Sequence, residues 1–172
     1  MPIALITGTT AGIGAATAKI LAKNRYDLIL NGRRKERLEE QSQELKDQYA
    51  IKTKIMHIDV RDHDEVKHYI KNLPSEWSSI DLLINNAGLA AGLSSIESGS
   101  IDHWNRMIDT NIKGLLHVTK YVTPLLKNTK GHIINIGSIA GKEVYPNGNV
   151  YCGTKHMVDA LNKAMRRELA AA

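Results

Sequence analysis

The chain has no phenylalanine and only one cysteine, Cys152, in 172 residues. A single cysteine cannot form an internal disulfide, which fits a reducing compartment. Nothing in the sequence explains the missing phenylalanine. No apolar run approaches the roughly 18 residues that span a bilayer as a helix. The opening residues, Met1-Pro2-Ile3-Ala4-Leu5-Ile6-Thr7, show no basic leader and no cleavage site. These absences set the expectation of a soluble, cytoplasmic protein with no membrane partner. Metal motifs are also missing. The seven histidines form no His-Glu-x-x-His pattern, and Asp62-His63-Asp64 has no partner ligands at metal spacing. Asp62 reads instead as a helix cap. There is no linker, repeat or low-complexity run, so residues 1–172 are read as one domain.

Hydrophobic residues make up 42% of the chain and charged ones 24%, enough for a buried core and too apolar for disorder. The net charge is +5, but the cations are dispersed among acids. That is not the clustered footprint of a nucleic-acid binder.

Short apolar runs alternate with amphipathic ones. Ile3–Ile6, Asp27–Asn31, Lys54–Ile58, Leu82–Asn85 and His132–Ile136 read as strands. Between them lie helical patterns: one through Ile13, Ile20 and Leu21, one from Lys35 to Tyr49, and one from Asp62 that ends before Pro74. A long helix is expected from Ile101, with Trp104, Ile108, Ile112, Leu115 and Thr119 on one side and Pro124 as its limit. The last helix carries a Met157, Ala160, Leu161, Ala164, Met165 stripe, read as core or subunit contact. Strand–helix alternation with near-continuous apolar strands predicts an α/β, Rossmann-like, doubly wound parallel sheet.

Thr7-Gly8-Thr9-Thr10-Ala11-Gly12-Ile13-Gly14 joins the first strand to the first helix. Glycines allow a tight turn and close approach of a ligand, and the helix start offers free N–H groups to a pyrophosphate. That context points to a dinucleotide site. An NAD site wants an acid about 20 residues further on. Here the place is held by Asn31-Gly32-Arg33-Arg34-Lys35. Cations at a helix start are unfavourable unless an anion offsets them, and an arginine fork suits phosphate. The residues therefore favour NADP(H) over NAD.

Tyr151 and Lys155 stand four residues apart, on one face of a helix. An ammonium roughly 6 Å from a phenol, at an effective dielectric near 20, favours the phenolate by about 2.8 kcal/mol, or about two pKa units. Tyr151 is thereby expected to serve as acid/base for a carbonyl–alcohol interconversion. Ser138, just past the fifth strand, can hydrogen-bond a substrate oxygen, and Asn111 is a polar residue that can hold water in a relay. Cys152 reads as packing.

Taken together, these residues resemble the short-chain dehydrogenase/reductase family. The resemblance rests on Thr7–Gly14, on Asn85-Asn86-Ala87-Gly88, and on Asn111, Ser138, Tyr151 and Lys155 in the order and approximate spacing of the family's catalytic tetrad. It spans nearly the whole chain. It implies that Tyr151 is the acid/base, that Ser138 orients the substrate, that Lys155 also grips the nicotinamide ribose, and that Asn111 supports the relay. It also implies cofactor contacts at Gly8, Thr9, Thr10, Gly12, Ile13, Gly14, Arg33, Arg34, Asp59, Val60, Asn86, Ala87 and Gly88. Asp59-Val60 would flank the adenine and Asn86 would lie beside the adenosine ribose.

Glu76-Trp77, "NNAGLAAG", "MIDTNIKGLL" and "GHIINIGSIAGKEVYPNGNVY" resemble one branch, the NADP-dependent 3-hydroxy acid dehydrogenases, also called serine 3-dehydrogenases or malonic semialdehyde reductases. The implied substrates are small: L-serine, L-allo-threonine, 3-hydroxyisobutyrate or the corresponding semialdehydes. Lys142 is a candidate contact for their carboxylate. Alternatives are a reductase of other ketones or diketones and a non-catalytic NADP(H)-binding sensor. Family members carry further C-terminal strands, so the chain is expected to be truncated, with the fifth strand as an apolar edge. The resemblance also implies a homo-oligomer, dimer or tetramer, formed through the last two helices.

Overall fold

The computed structural model describes residues 1–170. Ala171 and Ala172, expected to continue the last helix, lie outside the described residues. Five strands form one parallel sheet: β1 (Ile3–Ile6), β2 (Asp27–Gly32), β3 (Thr53–His57), β4 (Ile80–Asn85) and β5 (His132–Asn135). Their spatial order is β3-β2-β1-β4-β5. The helices are α1 (Gly12–Lys23), α2 (Lys35–Tyr49), α3 (His63–Lys71), α4 (Ile101–Ile108), α5 (Leu115–Thr129) and α6 (Asn149–Leu169). Among the described residues no helix is long and apolar enough to cross a membrane.

The central strands read as near-continuous apolar runs because both faces of the sheet are covered there. Side chains alternate across the pleat. Ile3, Leu5, Ile29 and Leu83 enter one core with Val66 and Ile70 of α3 and Val118, Val122 and Leu126 of α5. Ala4, Ile6, Leu28, Leu30 and Ile84 enter the other with Ala18 and Ala22 of α1 and Leu38 and Leu45 of α2. Each fully buried Leu or Ile contributes about 1.5–3 kcal/mol relative to exposure. Asp62 caps α3 as expected, accepting from the N–H groups of Asp64 and Glu65. β5 is an edge, with Ile134 exposed.

The expected long helix is not one α-helix. Asp109–Gly114 form a π turn between α4 and α5. The wider turn slips the phase of the apolar stripe. Met107, at 3% exposure, enters the core, whereas Ile108 is 37% exposed. Nor does Pro124 limit the helix, which runs on to Thr129. Pro124 lies on the exposed face, where the carbonyl that its missing N–H leaves free can meet water. The stripe expected on α6 is not core either. Its buried residues are Cys152, Thr154, Lys155 and Val158, and Met157 is exposed.

α2 ends on Ala50, held left-handed at φ 53°. That conformation crowds a Cβ and is the usual place of glycine. Ala50→Gly should therefore stabilise the fold by about 0.5–1 kcal/mol. A urea unfolding midpoint that falls in the variant would contradict this.

Candidate active site

At the centre of the sheet β1 and β4 lie side by side, and there the strand order reverses. Such switch points, outside the carboxyl ends of the strands, are where open α/β sheets bind ligands. The turns leaving the two strands are knotted together. The Thr7 hydroxyl accepts from the N–H groups of Asn86 (3.0 Å) and Ala87 (2.9 Å). Asn86 Nδ2 donates back to the carbonyls of Thr7 (2.8 Å) and Gly8 (3.0 Å). The two turns pack so closely that a methyl on Gly14 would collide with the Gly8 carbonyl and the Asn86 amide. Gly8 adopts φ 70°, and a Cβ there would lie 3.0 Å from the Ala87 Cα.

Above this knot opens a cleft of about 660 Å³. Of the residues expected at a dinucleotide, Gly8, Thr10, Gly12, Ile13, Arg33, Arg34, Asp59, Val60, Asn86, Ala87, Gly88, Tyr151 and Lys155 line it. Two do not. Thr9 is fully buried, its N–H donating to the Asn31 carbonyl at 2.8 Å. Gly14 serves the close packing just described. The wall also includes residues not singled out from sequence, among them Asn31, Leu89, Thr110, Ile136 and Gly137. Most are chain neighbours of predicted residues, and that adjacency was the available signal.

Gly12 has open space where a side chain would stand, so a ligand can approach the start of α1, whose cap residue Ala11 offers no side-chain bond. Close to that helix start, Arg34 Nε and Nη2 donate to the Thr10 hydroxyl at 3.1 and 2.6 Å. Those bonds use both lone pairs of that oxygen and leave its proton for an acceptor. Arg33 is more loosely held, 3.7 Å from Asp59. Asp59 belongs mainly to Arg61, whose Nε lies 3.0 Å from both carboxylate oxygens and whose Nη2 is 2.6 Å from Oδ2. Burial alone would raise the Asp59 pKa. The hydrogen bonds and charge of Arg61, with the charge of Arg33, outweigh it, and the pKa lies below the ordinary value. Free helix-start N–H groups at one place and basic donors at another are the donor set that a dinucleotide with an added phosphate fits.

The chemical end is built from α6 and the π turn. Lys155 is 8% exposed, and its Nζ donates to the Ile136 carbonyl at 2.8 Å. Burial pushes its pKa below the ordinary lysine value. Tyr151, half-buried, shares the cleft wall with it. Ser138 does not line the cleft but follows Gly137, which does. Its Oγ accepts from the Ala140 N–H at 3.2 Å, which leaves its own proton to donate. Asn111 is buried below the cleft, with both of its amide hydrogens and one lone pair of Oδ1 engaged. Oδ1 accepts from the Leu89 N–H (2.8 Å), and Nδ2 donates to the Leu89 carbonyl (2.9 Å) and the Thr154 hydroxyl (3.1 Å). Asn111 thus fixes the Leu89 segment and Thr154 together. Lys142 pairs with Asp159 on α6, at 2.6 Å. Hydrogen bonds from Lys142 and Lys163 hold the Asp159 pKa at about 2.

The short chain dehydrogenase family model matches residues 2–172, and the chain belongs to that family. It is 44% identical to the NADP-dependent 3-hydroxy acid dehydrogenase YdfG of Escherichia coli O6:H1 over 168 residues, 97% of this chain and 66% of the relative. The chain thus spans just under two thirds of the length of that curated relative. A solved structure, the closed form of serine dehydrogenase complexed with NADP+, superposes with a TM-score of 0.89 at 42% identity, covering 97% of this chain and 66% of that one. An alcohol dehydrogenase from Thermococcus sibiricus complexed with 5-hydroxy-NADP superposes at 0.95 with 30% identity, covering 99% and 72%.

A carboxyl whose pKa is lower folded than unfolded favours the fold above its ordinary value of 3.8 and loses that contribution as pH falls through the folded value. The stability gap between the parent and Asp59→Asn should therefore be constant at neutral pH and narrow below about pH 4. Urea unfolding from pH 7 to pH 3 reads it, and a gap that widens with acid would contradict the assignment.

Proposed function

We propose that the protein is an NADP-dependent oxidoreductase that transfers a hydride between NADP(H) and a small 3-hydroxy acid or its semialdehyde or keto form, in the class of L-serine, L-allo-threonine and 3-hydroxyisobutyrate. The observation that carries the proposal is a single cleft joining Tyr151 and buried Lys155 to the Arg33–Arg34–Thr10 cluster. The relative named for NADP-dependent 3-hydroxy acid dehydrogenation and the NADP+ complex of serine dehydrogenase support the same reading.

When bound, NADPH supplies the hydride and NADP+ accepts it. The residues of the chain do the rest. The start of α1 and the Gly8–Gly12 backbone hold the pyrophosphate, and Arg33, Arg34 and the Thr10 proton hold the 2′-phosphate. Ser138 donates its free proton to the substrate oxygen and orients it. Tyr151 gives the same oxygen a proton in reduction and removes it in oxidation. Lys155, fixed by the Ile136 carbonyl, keeps a cation beside that exchange and grips the nicotinamide ribose. Asn111 keeps the π turn and the Leu89 segment in place beneath. The same reading includes a cytoplasmic homo-oligomer, dimer or tetramer, whose subunits meet through α5 and α6.

Tyr151→Phe should lower kcat by about 10²–10⁴-fold, the usual worth of a general acid, while NADPH fluorescence titration gives an affinity close to the parent's. Undiminished turnover would sink the proposal. Arg33→Ala with Arg34→Ala should lower the preference for NADPH over NADH by about 10–100-fold, the worth of charge-assisted bonds to one phosphate. Equal losses for both cofactors would place the phosphate elsewhere.

A further inference from the structure

We propose that Thr154 is a positioning residue for this site, holding the Asn111 turn in register with the Tyr151 turn of α6. The proposal rests on the functional reading above.

Thr154 is 2% exposed. Its hydroxyl accepts from Asn111 Nδ2 at 3.1 Å and donates to the Tyr151 carbonyl at 2.8 Å. A helical threonine often bonds back to a carbonyl three or four residues earlier, and that bond alone would be local. The Asn111 N–H turns it into a bridge between elements 43 residues apart. Asn111 otherwise bonds only the backbone of Leu89, which it clasps at both N–H and carbonyl. Leu89 lines the cleft beside Gly88. One rigid amide therefore sets three things together: the Leu89 wall, the π turn and, through Thr154, the turn of α6 that carries Tyr151.

Removing the Thr154 hydroxyl leaves a buried Asn111 N–H without an acceptor, which strongly favours rearrangement. Any tilt of the amide toward a new partner also loosens its two bonds to Leu89. α6 itself need not change, because the Tyr151 carbonyl is also placed to accept the ordinary helical bond from Lys155. The effect should appear at Leu89 and in the chemical step, and be absent from helix content and cofactor affinity.

The test compares Thr154→Val and Thr154→Ser with the parent in the intact protein. The Leu89 amide is followed by NMR hydrogen exchange, and turnover by steady-state kinetics with NADPH and malonic semialdehyde. The valine variant should exchange the Leu89 amide about tenfold faster and lower kcat by about tenfold, with the KM for NADPH unchanged. The serine variant should restore both. The proposal is overturned if the valine variant leaves Leu89 exchange unchanged, or if the serine variant is as impaired as the valine. Should the valine variant not fold, Thr154→Cys, which keeps the side-chain size but is a poor acceptor, is read by the same criteria. Absence of turnover in the parent would overturn the functional reading instead, and the Leu89 exchange would still decide the role of Thr154.

Discussion

The closeness of two backbone turns at the middle of the sheet is the constraint on which the rest depends. The turns after β1 and β4 share hydrogen bonds through the Thr7 hydroxyl and the Asn86 amide. The Thr7 N–H also donates to the Ile84 carbonyl at 3.0 Å, so the backbone groups where the strand order reverses find partners. The closeness requires glycine at Gly8 and Gly14, and it leaves α1 starting with an unobstructed N-terminus. A cleft then forms above the knot without any loop dedicated to it. Both ends of the cleft inherit their positions from the strands: the arginines follow β2, Asp59 follows β3, and the Lys155 ammonium is held at the end of β5.

The electrostatics of the cleft are divided along its length. At one end Asp59 is saturated by Arg61, so its charge is largely spent before it can neutralise Arg33. Arg34 is pinned to Thr10 across the cleft edge. This end is left net basic and ready for an anion. At the other end a single lysine is buried where its charge is costly, with only a carbonyl as its fixed partner. A buried, poorly compensated charge beside a phenol is an unfavourable feature for stability alone, and such features concentrate at working sites.

Much of the fold was legible in the sequence, because the central strands lie between two covered faces and each helix has its own amphipathic period. The bounds of α2 and the Asp62 cap follow directly, whereas the edge position of β5 was implied by the family resemblance. The run from Ile101 to Thr129 was not legible in detail. A π turn changes the phase by local backbone geometry that no residue type marks, and Pro124 can sit within a helix because its face is solvated. For the site, motif residues such as Tyr151, Lys155, Gly8 and Arg33 were readable because their types are unusual in their contexts. Roles set by distant partners were not. Thr7 takes its meaning from backbone 79 residues away, and Lys142 pairs with Asp159, which no spacing rule connects to it. Asn111 was found, but its side chain turned out to be a clasp on Leu89 and Thr154.

The central claim is that this cleft moves a hydride, with Tyr151 supplying the proton. The most direct measurement is isotope transfer in the intact protein. NADPH deuterated at the transferring position of the nicotinamide is supplied with malonic semialdehyde, and the product is read by mass spectrometry. The expected product is 3-hydroxypropionate with one deuterium on its carbinol carbon. Product without deuterium there, or no product while NADPH binds, would contradict that claim.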